Sequence, residues 1–172
     1  MTGSYPPHPL PVHAAIATIA LYCLAAMPGC SPASPDEQEQ EHVYSTWDTL
    51  NPDKCASMWL IKRYVDTKAE FRFYPKNSMD MEGIHFDTPT SKYHSTHDKS
   101  CFELVMAKHH LQSPELDKLA ALIHAIEIGY WHAGDDDEAS KLNDYIMGII
   151  RHIEPIEQAL EDTFIVFDHY AE

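Results

Sequence analysis

The side chains best suited to chemistry in this chain are histidines and carboxylates, gathered in a few short stretches. One holds His94, His97, Asp98, Cys101 and Glu103. Its His-x₆-Cys-x-Glu spacing is not that of a zinc finger and lacks the tight Cys-x₂-Cys pairs that mark one. Another is found from helical phase at about 100° per residue. After Ser113, residues Leu116, Leu119, Ala120 and Ile123 share one apolar stripe, and Glu127 falls inside it with His124 at its edge. His124 and Glu127 are an i, i+3 pair and can face one object. Glu138 stands four residues before Leu142 and seven before Tyr145, again on an apolar stripe. A carboxylate entering a core must be paired, protonated or bound to a metal, because an isolated buried charge is too costly.

Each of these residues also has a plainer role open to it. Glu127 can meet a Lys or Arg, or sit where a helix end frays into water; Glu138 can simply complement a helix dipole. Arg63 projects on the Trp59 and Ala56 side of its helix, where it serves a buried carboxylate or an anion, or snorkels at a core edge. His109, His110 and His132 read as surface residues. The run Asp135–Glu138 lacks the glycine and spacing of a calcium loop and reads as a solvated helix start. Cys55 reads as a small core residue.

The elements that carry these groups follow from periodicity. Pro52-Asp53 opens a helix through Ala56, Trp59, Leu60 and Tyr64. Phe71–Pro75 alternates like a strand, Ile84–Asp87 is a second candidate and Lys92–His94 a third. Residues 100–111 read as a helix. Ser113-Pro114-Glu115 starts another that runs to about Ile128, Asp135–Glu138 starts a third, and Pro155 the last. The expected fold is mainly α (α+β), a compact helical domain with a small two- or three-stranded sheet near its N-terminal side.

Residues 1–29 read as a signal peptide: His13–Met27 is an apolar run of about signal-peptide length that ends in Pro28-Gly29-Cys30. A small residue before Cys at that place resembles the bacterial lipobox, in which Cys30 would be lipidated. Residues 30–45 then form a polar tether, and 46–172 the domain. These features predict an exported protein, lipid-anchored at Cys30 on the periplasmic side of a bacterial membrane. The chain of 172 residues carries a net charge of −15, and no Lys, Arg, Asp or Glu precedes Asp36. A domain this acidic repels phosphate backbones, so nucleic acid is not an expected partner, and it favours a cation over an oxyanion such as chromate. Twelve histidines, ten of them after residue 40, point the same way.

Several segments together resemble the chromate-resistance domain, the C-terminal domain of ChrB-type proteins. Asp53–Asp66 resembles its run of Asp-Arg, small residues, Trp-Leu-Ile, a basic pair, an aromatic and Asp, and Ala69-Glu70-Phe71 continues it. Gly83-Ile84-His85-Phe86-Asp87 resembles its Gly-hydrophobic-x-Phe-Asp element. His94 with Cys101-Phe102-Glu103, then Ile123–Glu127, then Phe167–Ala171 resemble three further motifs. Lys54 stands where the family has Arg, and Glu127 where it has Asp. The resemblance covers residues 46–172. The DNA-binding domain that precedes this one in the family's regulators is replaced here by the signal segment, so a repressor role is not implied.

With the resemblance added, His94, Glu103, His124 and Glu127 form a candidate shared metal centre, with Cys101 as a further candidate ligand. Imidazole and carboxylate suit a divalent transition metal such as Zn, Fe or Mn. Three functions stay open: a tethered metal-binding protein of chromate or metal stress; a metal-dependent enzyme, hydrolytic or redox, with Glu127 or Glu138 as base and Arg63 and Asp53 orienting a substrate; and a metal-free domain whose buried His–Glu–Arg network specifies the core.

Overall fold

The computed structural model describes residues 42–91, 93–129 and 137–172. The segment read as a signal peptide, Cys30 and the stretch read as a tether up to residue 41 lie outside the described residues, as do His132, Asp135 and Asp136. The domain is mainly helical, with a small parallel sheet near its N-terminal side.

The chain enters through β1 (Val43–Trp47), whose β-branched and aromatic residues suit a strand. It then forms α1 (Pro52–Leu60), which continues as a π-helical turn over Ile61–Val65, and returns in β2 (Glu70–Tyr74). A short β3 (Ile84–His85) completes a sheet ordered β2-β1-β3, with both neighbours parallel to β1. Four helices follow: α2 (Cys101–His109), α3 (Pro114–Glu127), α4 (Asp137–His152) and α5 (Ile156–Tyr170).

The helix starts and β2 agree with the sequence reading to within about two residues. The strands differ in one respect. Tyr93 and His94 are in no strand, and the third strand is β1, whose first three residues fall in the stretch assigned to the tether. Ser45 and Thr46 hid it: they are polar, yet both are fully buried because β1 is the central strand with a partner on each side. Gly83, just before β3, lets the backbone pass close to β1. Its φ is +71°, and a Cβ there would lie 2.3 Å from the Val43 carbonyl oxygen.

All nine residues of α1 are buried. A helix with no solvent face sits at the centre of a fold, and α1 packs against α2, α3, α4 and α5. The Trp59 ring lies at 6.5 Å and 10° from Phe102 of α2 and 6.0 Å from Phe167 of α5. Its indole N–H donates to Asp168 Oδ1 at 2.7 Å. Arg63 grips the same carboxylate with two donors, at 2.9 and 2.8 Å, and lies over the Phe164 ring. The Phe-Asp segment near the end of the chain thus fastens α5 to α1.

Gly83→Ala is expected to cost about 2–4 kcal/mol in chemical denaturation, because the strained φ and the backbone clash act together. A loss under about 0.5 kcal/mol would show that β3 can shift to make room.

Candidate metal centre

A helix without a solvent face that carries Asp53 and Lys54 in its first turn must find partners for both charges. Asn51 caps α1 by accepting the Lys54 N–H at 2.7 Å, and Pro52 occupies the first helical position. The Asp53 carboxylate is then aimed at the start of α2. It accepts the backbone N–H of Cys101 at 2.8 Å and that of Phe102 at 2.9 Å. Ser100, the N-cap, accepts the third N–H from Glu103 through its hydroxyl, and Glu103 returns a carboxylate oxygen to the Ser100 N–H at 2.8 Å. The first turn of α2 therefore has every exposed donor satisfied, two of them by a side chain 48 and 49 residues away.

Lys54 is equally enclosed, at 2% exposed. Its ammonium donates to the carbonyls of Trp47 at 3.2 Å and Thr49 at 2.7 Å, and lies 3.4 Å from Asp87 Oδ2. Three oxygens meet its three protons. Asp87 follows β3 with a φ of +46°, a left-handed backbone uncommon outside glycine and asparagine. Its N–H donates to the Tyr93 carbonyl, which also accepts Ser91 Oγ and Cys101 Sγ. Burial pushes the Asp53 carboxyl up to about 7 against the pull of the two N–H bonds, with Asp87 and Glu127 adding like charge. Burial likewise lifts Asp87 to about 6, opposed by Lys54 and reinforced by Glu127. Three carboxylates therefore feel one another here, with Lys54 as their buried cation.

Of the four candidate ligands, His124 and Glu103 are in contact, and Glu127 reaches the segment of His94 only through Ser95. His124 Nδ1 lies 2.9 Å from Glu103 Oε2. Partial burial pushes Glu103 up, but the bonds from Ser100 and His124 outweigh it and hold the carboxyl below its ordinary range. Glu127, one turn beyond His124, accepts Ser95 Oγ at 3.3 Å, and Ser95 adjoins His94. His94 Nδ1 lies 2.7 Å from the Ser91 carbonyl. Both imidazoles face acceptors through Nδ1, so both donate a proton there, and in the neutral ring Nε2 then carries the lone pair. Among the described residues no three His, Cys, Asp or Glu groups already stand within reach of one metal ion.

The remaining candidates divide. Cys101 is fully buried, its thiol donates to the Tyr93 carbonyl, and burial pushes its pKa well up, so it is a core thiol; Cys55 is also free and buried. Glu138 is exposed rather than inward: it pairs with Lys118 at 2.9 Å and lines an open hollow of about 560 Å³ with Glu115, His169 and Tyr170. It lies in the first turn of α4, where the phase of a helix binds a side chain least. Arg63 belongs to Asp168, and His124 to Glu103; the two pairs share no hydrogen bond, so one buried His–Glu–Arg network is not formed. Asp53 binds backbone N–H groups, which makes it a clamp on α2 and not a group waiting for substrate. His109 and His110 are exposed, as expected, and so is His97. Asp87 and Ser95 were absent from the sequence candidates, although Asp87 ends the Gly-hydrophobic-x-Phe-Asp element.

The family model described as the C-terminal domain of ChrB matches residues 44–172. No curated protein and no solved structure matches the chain.

Breaking the Lys54–Asp87 pair from one side leaves a buried charge alone. Lys54→Met is expected to destabilise the domain by about 3–5 kcal/mol. Adding Asp87→Asn should recover more than half of that loss in a double-mutant cycle by urea denaturation. Purely additive losses would mean that the two charges do not depend on each other.

Proposed function

The chain belongs to the ChrB C-terminal domain family, a chromate-resistance family, and on that premise we propose that the domain acts in chromate or metal stress by holding a divalent transition-metal cation. His94, His124 and Glu127 are the ligands. Glu103 stands behind His124 and orients it, in the manner of the carboxylate–histidine pairs that support metal sites. One observation carries the reading: both imidazoles spend Nδ1 on an acceptor, and among the described residues neither Nε2 has a hydrogen-bond partner, with the Glu127 carboxylate one turn from His124. The electrostatics agree with it. Asp53 and Asp87 are both pushed up and both sense Glu127, and the buried ammonium of Lys54 is already met by three oxygens. A further positive charge is favoured there, and an oxyanion such as chromate is not. Imidazole with carboxylate suits Zn, Fe or Mn. Binding brings His94, His124 and Glu127 onto one ion.

In the same reading the protein is exported and tethered to a membrane by lipid on Cys30. The apolar run that ends at Gly29-Cys30 supports this part. Cys30→Ser should move the protein from the membrane fraction to the soluble one, and an unchanged distribution would remove the anchor from the proposal.

Calorimetric titration of untagged protein with Zn²⁺ or Mn²⁺ should show one ion per chain and a higher melting temperature. Glu127→Gln and His124→Ala should each lower affinity by more than about tenfold, and Glu103→Gln by roughly 10–100-fold. No heat with either ion, and melting that chelator leaves unchanged, would refute metal binding.

A further inference from the structure

The Asp53 clamp joins a titratable group to a helix terminus. Its carboxylate is 1% exposed as a residue, and it accepts two N–H groups that nothing else in the first turn of α2 can satisfy. An ionised carboxylate has acceptor capacity on both oxygens, whereas the acid has one good acceptor oxygen and a hydroxyl that must itself donate. The charged and titratable groups that act around it are Asp87 after β3, Glu127 on α3, the Cys101 thiol on α2 and Lys54 on its own helix, with His94 acting on Asp87. With Asp53 itself this makes three carboxylates against one fixed cation. We propose that Asp53 is a proton-operated latch on the first turn of α2: as carboxylate it holds both N–H groups, and as acid it keeps one and lets the turn loosen.

The consequence is carried one residue further. Glu103 closes that same turn through its bonds to Ser100, and its carboxylate sets the ring of His124. Loosening the turn therefore loosens the orientation of His124. The latch is a property of the protein without metal and goes beyond the metal-binding reading.

The sign is the unusual one for a carboxyl. Asp53 is raised from 3.8 to about 7, mainly by burial. Between those values the folded chain holds a proton that the unfolded chain has shed, so its contribution to stability falls as pH rises, and levels off above about 7. Asp87 acts in the same direction up to about 6. Acid thus favours the fold through these groups while it slackens one turn.

The test is a pH titration of the full chain in chelator, followed by ¹³C resonances of side-chain carboxyls and ¹⁵N–¹H resonances of the backbone. The Asp53 carboxyl should titrate with a midpoint near 7. The Cys101 and Phe102 amides should follow with the same midpoint, moving downfield as the carboxylate forms. Their hydrogen exchange, corrected for intrinsic rates, should be slower at pH 8 than at pH 5.5. No substitution is needed for this part, so a failure to fold cannot obscure it. In Asp53→Asn protein the two amides should lose that midpoint. The latch is overturned if the Asp53 carboxyl titrates below about pH 5, or if it titrates near 7 while the two amides stay fixed. Because no metal is present, either result leaves the cation titration to be judged separately.

Discussion

The structure turns on a helix that has no outside. α1 is enclosed over its whole length, yet its first turn carries an acid and a base in succession. An unpartnered charge in such a place costs several kcal/mol, so neighbouring chain must be brought to each of them. Asp53 recruits the N-terminus of α2, and Lys54 recruits the ends of β1 and the segment after β3. These attachments add little net stability over an apolar core of the same shape. What they supply is position: the start of α2 and the turn at Asp87 have one place to be. The histidines and Glu103 inherit that place.

Within the candidate centre, nearness to the cluster does not mean one common role. Glu103 is committed three times over, to the Ser100 N–H and hydroxyl and to His124, so it is an orienting group. Glu127 has a single weak partner in Ser95 and is the carboxylate with capacity to spare. Lys54 stands where the resembling family has Arg. In this chain the site offers two carbonyls and one carboxylate oxygen to a compact ammonium with three donors, and a planar guanidinium would need a different set of angles.

Periodicity and capping were legible wherever local chemistry decides structure. Ser113-Pro114 gave a true helix start, and the stripe from Leu116 to Ile123 is buried as its phase requires, with Glu127 half-buried at its end. β1 was not legible, because Ser45 and Thr46 are buried by a sheet that forms only when β2 and β3 arrive from distant sequence. Asp53 was recognised as a group with chemistry, but its partners are backbone N–H groups, which have no letter in a sequence. Asp87 was read as part of a motif and not as a charge, since its depth in the fold depends on Lys54. His124 and Glu103 do meet, but which ring nitrogen faces the carboxylate is a matter of a single torsion that no letter in the sequence records.

The bond between Trp59 and Asp168 spans 109 residues. Contacts of such separation form late, since the closure entropy of the whole intervening chain comes first. α1 draws its enclosure from α2 through α5, so a chain emerging from the ribosome carries its most enclosed helix bare until the last helix is complete. The core therefore closes only after synthesis has run almost to the end. Until then the segment around Trp59 is a natural foothold for a chaperone.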